Sequence, residues 1–314
     1  MRVCLMVEGQ EGVSWDQWVA LARATEDAGL DALFRSDHYL SFSHPDERVV
    51  LDAWASLAGL AAVTERIGLG TLVSPATFRH PSNLAKAVVT ADHISNGRVE
   101  LGLGAGWNEA EHRAYGFPFP STKVRMEMFT EQAEIIHRSW NDRAFSFNGT
   151  HYTIENLDAL PKPAHAPHPN FIVGGQGGPK SVAVAARWAD EYNTNFANAD
   201  TCRQRRARVD EAWEKAGRHE PPVFSLMTGC VVGRDETDLL GRGSRIMELL
   251  GVTGEPRAFI DGYPDVMVVG TPDQAAQRLH ELADAGVDRV MMQMQDHADV
   301  EMVHVLGEVA SLVA

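Results

Sequence analysis

Several features that would place a protein in a specialised class are scarce in this chain of 314 residues. Its three cysteines, Cys4, Cys202 and Cys230, lie far apart without a Cys-x-x-Cys pair, which argues against a disulfide framework and favours a reducing, cytosolic setting. No apolar run approaches the roughly eighteen residues of a membrane-spanning helix, and the N-terminus lacks the pattern of a signal peptide. We therefore expect a soluble protein that is neither exported nor bound to a membrane.

Basic residues are also in short supply. Lys and Arg number 28 against 43 Asp and Glu, so the formal net charge is −15, and a surface of this sign repels nucleic acids and anionic membranes. The sequence lacks an HExxH motif, and His165 and His168 lie in a proline-rich segment, so no metal site is expected. We expect the partner to be a small molecule, and an anionic ligand would need a locally basic pocket.

Strand-like apolar runs alternate with helical patterns along the chain, without a linker or a break in composition between its halves. The strand-like runs cover residues 3–7, 32–34, 67–73, 99–103, 171–173, 191–194, 223–232 and 289–293. The helical patterns cover residues 15–29, 51–63, 83–94, 125–140, 181–188, 201–216, 237–250, 272–285 and 300–313. This alternation predicts a single (β/α)₈ TIM barrel over residues 1–314, with a doubly wound sheet as the alternative.

Two segments interrupt the alternation, at about residues 145–169 and 253–268. We interpret both as loop excursions from the barrel. The first has the pattern of a short hairpin across Asn148 and Gly149.

Polar residues follow most of the predicted strands. In a TIM barrel the C-terminal ends of the strands form the site, so these residues are the candidates for chemistry. They include Glu8, Asp37, His38, the segment GLGAGWNEAEH at residues 102–112, Asn193, Asn195, Gln293 and Gln295. Any one of them could merely cap a turn, but together they favour a site. His38 has the side chain best suited to proton transfer near neutral pH.

The GLGAG segment does not complete a dinucleotide-binding fingerprint, because Trp107 or Glu109 stands where GxGxxG needs its third glycine. Gly104 and Gly106 could instead let a flat ligand approach the backbone, with Trp107, Asn108 and Glu109 at its edge. A tight turn without a ligand is the alternative.

The segment VGGQGGPK, residues 173–180, resembles a phosphate cradle. A strand enters a turn containing Gly174, Gly175, Gly177 and Gly178, and a helix then starts at Pro179 with Lys180 beside it. Backbone N–H groups and the positive helix end would face a phosphate, and Lys180 would add a charge. The alternative is a glycine-rich turn with no ligand.

Five segments occur together in a fixed order: FRSDH, GTLVSPATFRHP, GRVELGLGAGWNEAEH, IVGGQGGPK and VVGTPDQAAQRLHELADAGVDRVMMQ. With this set, the chain resembles the bacterial luciferase-like superfamily over essentially its whole length. More narrowly, it resembles the branch that uses the deazaflavin coenzyme F420 rather than the branch that uses FMN.

The resemblance implies a (β/α)₈ barrel that binds F420 at the C-terminal rim. It also implies a non-prolyl cis peptide in the third strand, at Leu72–Val73, behind the cofactor ring. The implied cofactor contacts are Asp37, Leu72, Val73, Gly104, Gly106, Trp107 and Asn108 near the ring, and Gly174, Gly175, Gly177, Gly178 and Lys180 at the phosphate.

The implied reaction is hydride transfer between F420 and an unidentified small organic substrate. His38 is the expected proton donor, with Glu8 and Glu109 as further catalytic candidates, and the direction of transfer is left open. An FMN-dependent monooxygenase is the alternative enzyme, and a non-catalytic flavin-binding barrel is the alternative from another class. The oligomeric state is also open, with a homodimer as one option.

Overall fold

The computed structural model describes residues 1–43, 47–263 and 265–314. The strands are β1 (Arg2–Val7), β2 (Ala32–Arg35), β3 (Gly68–Pro75), β4 (Val99–Gly104), β5 (Phe145–Asn148), β6 (Thr153–Leu157), β7 (Asn170–Gly174), β8 (Glu191–Asn195), β9 (Val223–Val232), β10 (Val268–Gly270) and β11 (Arg289–Met294). The helices are α1 (Trp15–Asp27), α2 (Ala53–Ala61), α3 (Pro81–Ser95), α4 (Glu109–Tyr115), α5 (Thr122–Asn141), α6 (Pro179–Trp188), α7 (Ala199–Lys215), α8 (Glu236–Leu249), α9 (Pro256–Asp261), α10 (Pro272–Asp284) and α11 (Val300–Leu312).

Eight parallel strands close into a ring in the order β1, β2, β3, β4, β7, β8, β9 and β11. Pairing of β8 with β9 and of β11 with β1 closes the ring, so the open, doubly wound alternative is wrong. The predicted (β/α)₈ barrel is confirmed. Strand β10 pairs with the end of β9, outside the ring.

Most strands of the ring are largely apolar because both of their faces are buried, and β8, with the sequence EYNTN, is an exception. In β1, Leu5 and Val7 belong to the core between the barrel and its helices. Cys4 and Met6, which alternate with them, pack inside the barrel with Phe34. A strand covered on both sides loses the polar alternation of a half-exposed strand, which is why these segments are continuous hydrophobic runs.

Both loop excursions contain regular structure. The first contains the predicted hairpin, in which β5 pairs antiparallel with β6. The second excursion is predicted to be a loop, and this prediction is wrong for Pro256–Asp261, which form α9. Pro256 lies in the first turn of this helix, where a missing N–H costs nothing. One residue of this excursion, Pro264, lies outside the described residues. None of the described helices is both long and apolar enough to cross a membrane.

The N-terminal end of the barrel is closed by a buried ion cluster around Arg289. Its guanidinium lies 2.7 Å from Glu100 and 3.2 Å from Glu191, and its Nε donates to the Cys4 sulfur. Burial opposes ionisation of Glu100, but the charge and hydrogen bonds of Arg289 prevail and lower the pKa of that carboxyl. The cluster belongs to the end of the barrel opposite the candidate site.

Candidate functional site

A cavity of about 1060 Å³ opens at the C-terminal ends of the strands, where the barrel prediction placed the site. Its volume is at the upper end of the range for one small-molecule ligand. Ten of the fifteen residues that were given a catalytic or cofactor-binding role line the cavity: Glu8, His38, Leu72, Val73, Gly104, Gly106, Trp107, Asn108, Gly174 and Gly175. Five do not: Asp37, Glu109, Gly177, Gly178 and Lys180.

His38 is held in the cavity wall by Glu111, a residue of the candidate segment 102–112 to which the sequence assigned no role of its own. His38 Nδ1 lies 2.8 Å from Glu111 Oε2, and because a carboxylate can only accept, the ring nitrogen is the donor. The other oxygen, Oε1, accepts the backbone N–H groups of Tyr39 and Leu40. Glu111 is fully buried, so these bonds fix both side chains and leave Nε2 of His38 for a ligand.

The surroundings favour the charged form of His38. Burial opposes protonation, but the hydrogen bond and the charge of Glu111, with smaller contributions from Glu8 and Asp37, outweigh it and raise the pKa of His38 above its ordinary value. A raised pKa keeps a histidine able to give and take a proton near neutral pH.

Glu8 lies on the cavity wall at the end of β1. Its carboxylate accepts hydrogen bonds from Gln10 Nε2, at 2.7 Å, and from Gln293 Nε2. Two amide donors therefore hold Glu8 in place as an acceptor.

The structure corrects the expectation for Glu109, whose side chain points to solvent and pairs with Arg113 at 3.0 Å. Glu109 begins α4, a helix that we did not predict, and residues two positions apart lie on opposite faces of a helix. Glu111 therefore takes the inward position. Asn108 Oδ1 accepts the N–H of Glu111, and an Asn followed three residues later by Glu is a helix-start signature that could have revealed this element.

Asp37 also needs correction, because its carboxylate does not line the cavity. It accepts hydrogen bonds of 2.6 Å from Ser74 Oγ and from Arg79. The side chain is buried behind β3, where it fixes the end of that strand instead of meeting a ligand directly.

The Val73 side chain explains two of the glycines. The predicted cis peptide at Leu72–Val73 is confirmed. A Cβ atom added at Gly104 would lie 2.8 Å from a methyl group of Val73, and one at Gly174 would lie 3.0 Å from it. At Gly102 an added Cβ would first meet the backbone oxygen of Thr71. Gly104 and Gly174 therefore make room for the Val73 side chain, and Val73 itself faces the cavity. Gly104 also lines the cavity, and its close approach to a ligand stays a prediction.

Part of the predicted phosphate cradle is used by the protein itself. Gly175 N–H donates to the carbonyl of Asn193, and Gly177 N–H donates to the Tyr192 hydroxyl. Gly177 has a φ of +73°, which favours glycine. Because these two N–H groups are already engaged, the predicted phosphate contact now concerns only the remaining N–H groups at the start of α6.

Basic side chains surround this turn. Lys180 is exposed on the first turn of α6, and Arg208 lies 3.5 Å from the carbonyl of Gly177. The stem of Arg205 packs beside Gly177, and its guanidinium donates to Thr194 and Asn195. Lys180, Arg205 and Arg208 form a local basic cluster in an otherwise acidic protein.

Comparison with known proteins identifies the family to which this barrel belongs. The model of the luciferase-like monooxygenase family matches residues 3–289. The chain belongs to the luciferase-like monooxygenase family. This confirms the resemblance that the five ordered segments carry.

Relatives within the luciferase-like family differ in the cofactor that their names give. An uncharacterized protein of Mycobacterium tuberculosis is 35% identical over 77% of this chain and 79% of its own length. An F420-dependent glucose-6-phosphate dehydrogenase of Nakamurella multipartita is 27% identical over 92% and 89%. An FMNH₂-dependent dimethylsulfone monooxygenase of Pseudomonas putida is 26% identical over 81% and 77%.

Solved structures confirm the fold. An F420-dependent secondary alcohol dehydrogenase, solved in complex with an F420–acetone adduct, matches with a TM-score of 0.81 at 18% identity. The match covers 100% of this chain and 99% of that chain. At this identity the likeness concerns the barrel alone.

Proposed function

We propose that this luciferase-like protein is an F420-dependent oxidoreductase that acts on a small organic alcohol or carbonyl compound. The observation that carries the proposal is the His38–Glu111 pair, a proton relay fixed in the wall of a large cavity. Relatives whose names specify F420 match nearly the whole chain and support the choice of cofactor.

The described residues fit a deazaflavin. Leu72 and Val73 offer an apolar surface in the cavity wall against which a flat ring can lie. The basic cluster of Lys180, Arg205 and Arg208 lies outside the cavity, beside the turn whose first residues, Gly174 and Gly175, line it. It can hold the anionic tail of a ligand that extends beyond the cavity. The net charge of −15 means that most of the surface repels an anionic tail. This basic cluster attracts it.

When bound, F420 would supply a ring carbon that accepts or returns a hydride. The chain's own residues then handle the proton. When an alcohol carbon loses a hydride, with its electron pair, His38 Nε2 takes the hydroxyl proton and a carbonyl compound remains. Glu111 stabilises the resulting imidazolium. In the opposite direction His38 returns the proton to the carbonyl oxygen.

An FMN-dependent monooxygenase is the second candidate, because one relative carries that activity in its name and the basic cluster can also hold a single phosphate. Fluorescence titrations of the purified protein with F420 and with FMN separate the two. We expect F420 to bind at least about tenfold more tightly, a difference of about 1.4 kcal/mol. Tighter binding of FMN would favour the monooxygenase, as would rapid reaction of the reduced, loaded protein with air.

Lys180→Ala tests the basic cluster in the same titration. The loss of one charge-assisted contact should weaken F420 binding by about 1.5–3 kcal/mol. Lys215→Ala is the matched control, because Lys215 ends α7, away from the turn after β7, and pairs with Glu211. Equal affinities of the two variants would mean that the turn after β7 has no part in cofactor binding.

A further inference from the structure

The cavity has a distinctive charge pattern on the side formed by β1, β2 and β11. Four carboxylates line the described cavity, Glu8, Glu11, Glu111 and Asp296, against one arginine, Arg48, and the histidine His38 that pairs with Glu111. Arg48 lies 3.0 Å from Glu11. The basic cluster near α6 does not line the cavity.

Each of these carboxylates already has a partner within the protein. Amide groups hold Glu8, Arg48 pairs with Glu11, and His38 pairs with Glu111. Asp296 lies 3.2 Å from Nε of Arg245, which reaches it from outside the cavity. An anionic substrate therefore finds no unpaired cation along the described wall. A cationic substrate finds three of the carboxylates already paired with basic side chains, and it finds Glu8 held by two amide donors.

Two further histidines, His112 and His297, line the described wall. Both ring nitrogens of His112 are engaged, by the Asn108 carbonyl and by Thr77, so neither is open to a ligand. Burial is the main cause that lowers the pKa of His297 to about 4, so its ring is neutral at physiological pH. Its Nε2 is buried and has no hydrogen-bond partner among the described residues.

What remains on the wall is suited to uncharged groups. Amide side chains from β8 and β11 line the cavity, including Asn193, Asn195 and Gln295, and amides donate to and accept from hydroxyl and carbonyl oxygens. Toward the mouth, the exposed aromatic side chains of Phe42, Trp107 and Phe196 provide an apolar surface. A polar head with an apolar body matches both parts.

We infer that the substrate of this pocket is an uncharged alcohol or carbonyl compound with an apolar body, and not a phosphate ester, a carboxylate or an amine. The inference rests on the proposed function and narrows it. It also separates this chain from relatives named glucose-6-phosphate dehydrogenases, whose named substrate is a phosphate ester.

Three probes with the same carbinol centre test the inference: 1-phenylethanol, 4-(1-hydroxyethyl)benzoate and 1-[4-(aminomethyl)phenyl]ethanol. Calorimetric titrations into the F420-loaded protein give a dissociation constant for each. We expect the neutral probe to bind at least about tenfold more tightly than either charged one, which corresponds to about 1.4 kcal/mol. A charged probe that binds equally or more tightly overturns the inference, and so does failure of the neutral probe to bind.

A charge substitution makes the test specific to the wall. Gln295→Lys places a cation in the cavity, and it should raise the affinity for the benzoate probe at least about tenfold while changing that for 1-phenylethanol little. Gln277→Lys makes the same substitution on the exposed face of α10 and should alter neither. If both variants behave alike, wall charge does not select the substrate.

The proposed cofactor and the inferred substrate class can be tested separately. If F420 does not bind, the same probes can be titrated into the unloaded protein, where the wall residues are unchanged. A preference for the neutral probe there supports the substrate class even if the cofactor is a different one. A preference for a charged probe rejects the substrate class whatever the cofactor.

Discussion

His38 and Glu111, 73 residues apart in the chain, meet at 2.8 Å in the wall of the cavity. Their contact joins the end of β2 to α4 and leaves one ring nitrogen for a ligand. The carboxylate is fully buried and also caps two backbone N–H groups. This pairing leads directly to a measurable prediction about the protonation of His38.

Glu111→Gln should lower the pKa of His38. Burial continues to oppose the charged imidazolium, while the hydrogen-bonded negative charge that offsets burial is removed. Proton NMR titration of the histidine ring signals measures the change, with His38→Gln identifying the His38 resonance. An unchanged pKa would show that the charge of Glu111 does not stabilise the imidazolium form of His38.

The same pair makes stability depend on pH. The pKa of His38 is higher in the folded protein than in the unfolded chain. The stabilisation that His38 contributes to the folded state is therefore fully present below the unfolded pKa. It is lost as the pH rises through the folded pKa. Urea unfolding should therefore show a larger advantage of the wild type over His38→Gln at about pH 5 than at about pH 9, values on either side of an ordinary histidine pKa. A difference that grows with pH would contradict the raised pKa.

His38→Ala should reduce turnover about 10²–10⁴-fold, the usual contribution of a general acid or base. F420 affinity should remain within about twofold, because the proposed role is proton transfer rather than cofactor binding. Saturated rates and dissociation constants measure the two effects separately, and His280→Ala, on the exposed surface of α10, is the control. Wild-type turnover in His38→Ala would make Glu8 the next residue to test.

Gly104→Ala should destabilise the fold by about 1–3 kcal/mol, the usual cost of overpacking. The new Cβ would lie 2.8 Å from Val73 Cγ2, whereas the Val73 Cβ is 4.0 Å away. Adding Val73→Ala should therefore restore much of the loss in a double-mutant cycle based on urea unfolding. Gly241→Ala, with open space around its Cβ on α8, should not destabilise. Additive losses from Gly104→Ala and Val73→Ala would refute this packing.

Asp37→Ala should cost about 1.5–3 kcal/mol of stability, because it removes a buried, charge-assisted contact with Arg79. Asp52 still pairs with that guanidinium in the variant. Asp52→Ala should cost less, since that carboxylate contacts the same guanidinium but is more exposed to solvent. Chemical denaturation measures both losses. If Asp37→Ala instead keeps its stability and loses F420 binding, the residue contacts the cofactor after all.

The sequence by itself determined the barrel and the location of its site. Alternating apolar runs predict buried parallel strands, and the ends of such strands gather polar residues on one rim. Ten of the fifteen residues to which the sequence or the family resemblance gave a role line the cavity, and they lie in or beside the C-terminal ends of the strands. The Leu72–Val73 cis peptide was also placed correctly, on the evidence of the family resemblance.

Tertiary structure alone decided which carboxylates face the cavity. Glu109 and Glu111 are equivalent in composition, but the start of α4 at Asn108 turns the first outward and the second inward. Asp37 turns away because Arg79, 42 residues later, supplies a charge behind β3. Gly104 and Gly174 are needed by Val73, from a third strand. Such contacts join segments far apart in the chain, and local periodicity carries no information about which distant side chain a residue will meet.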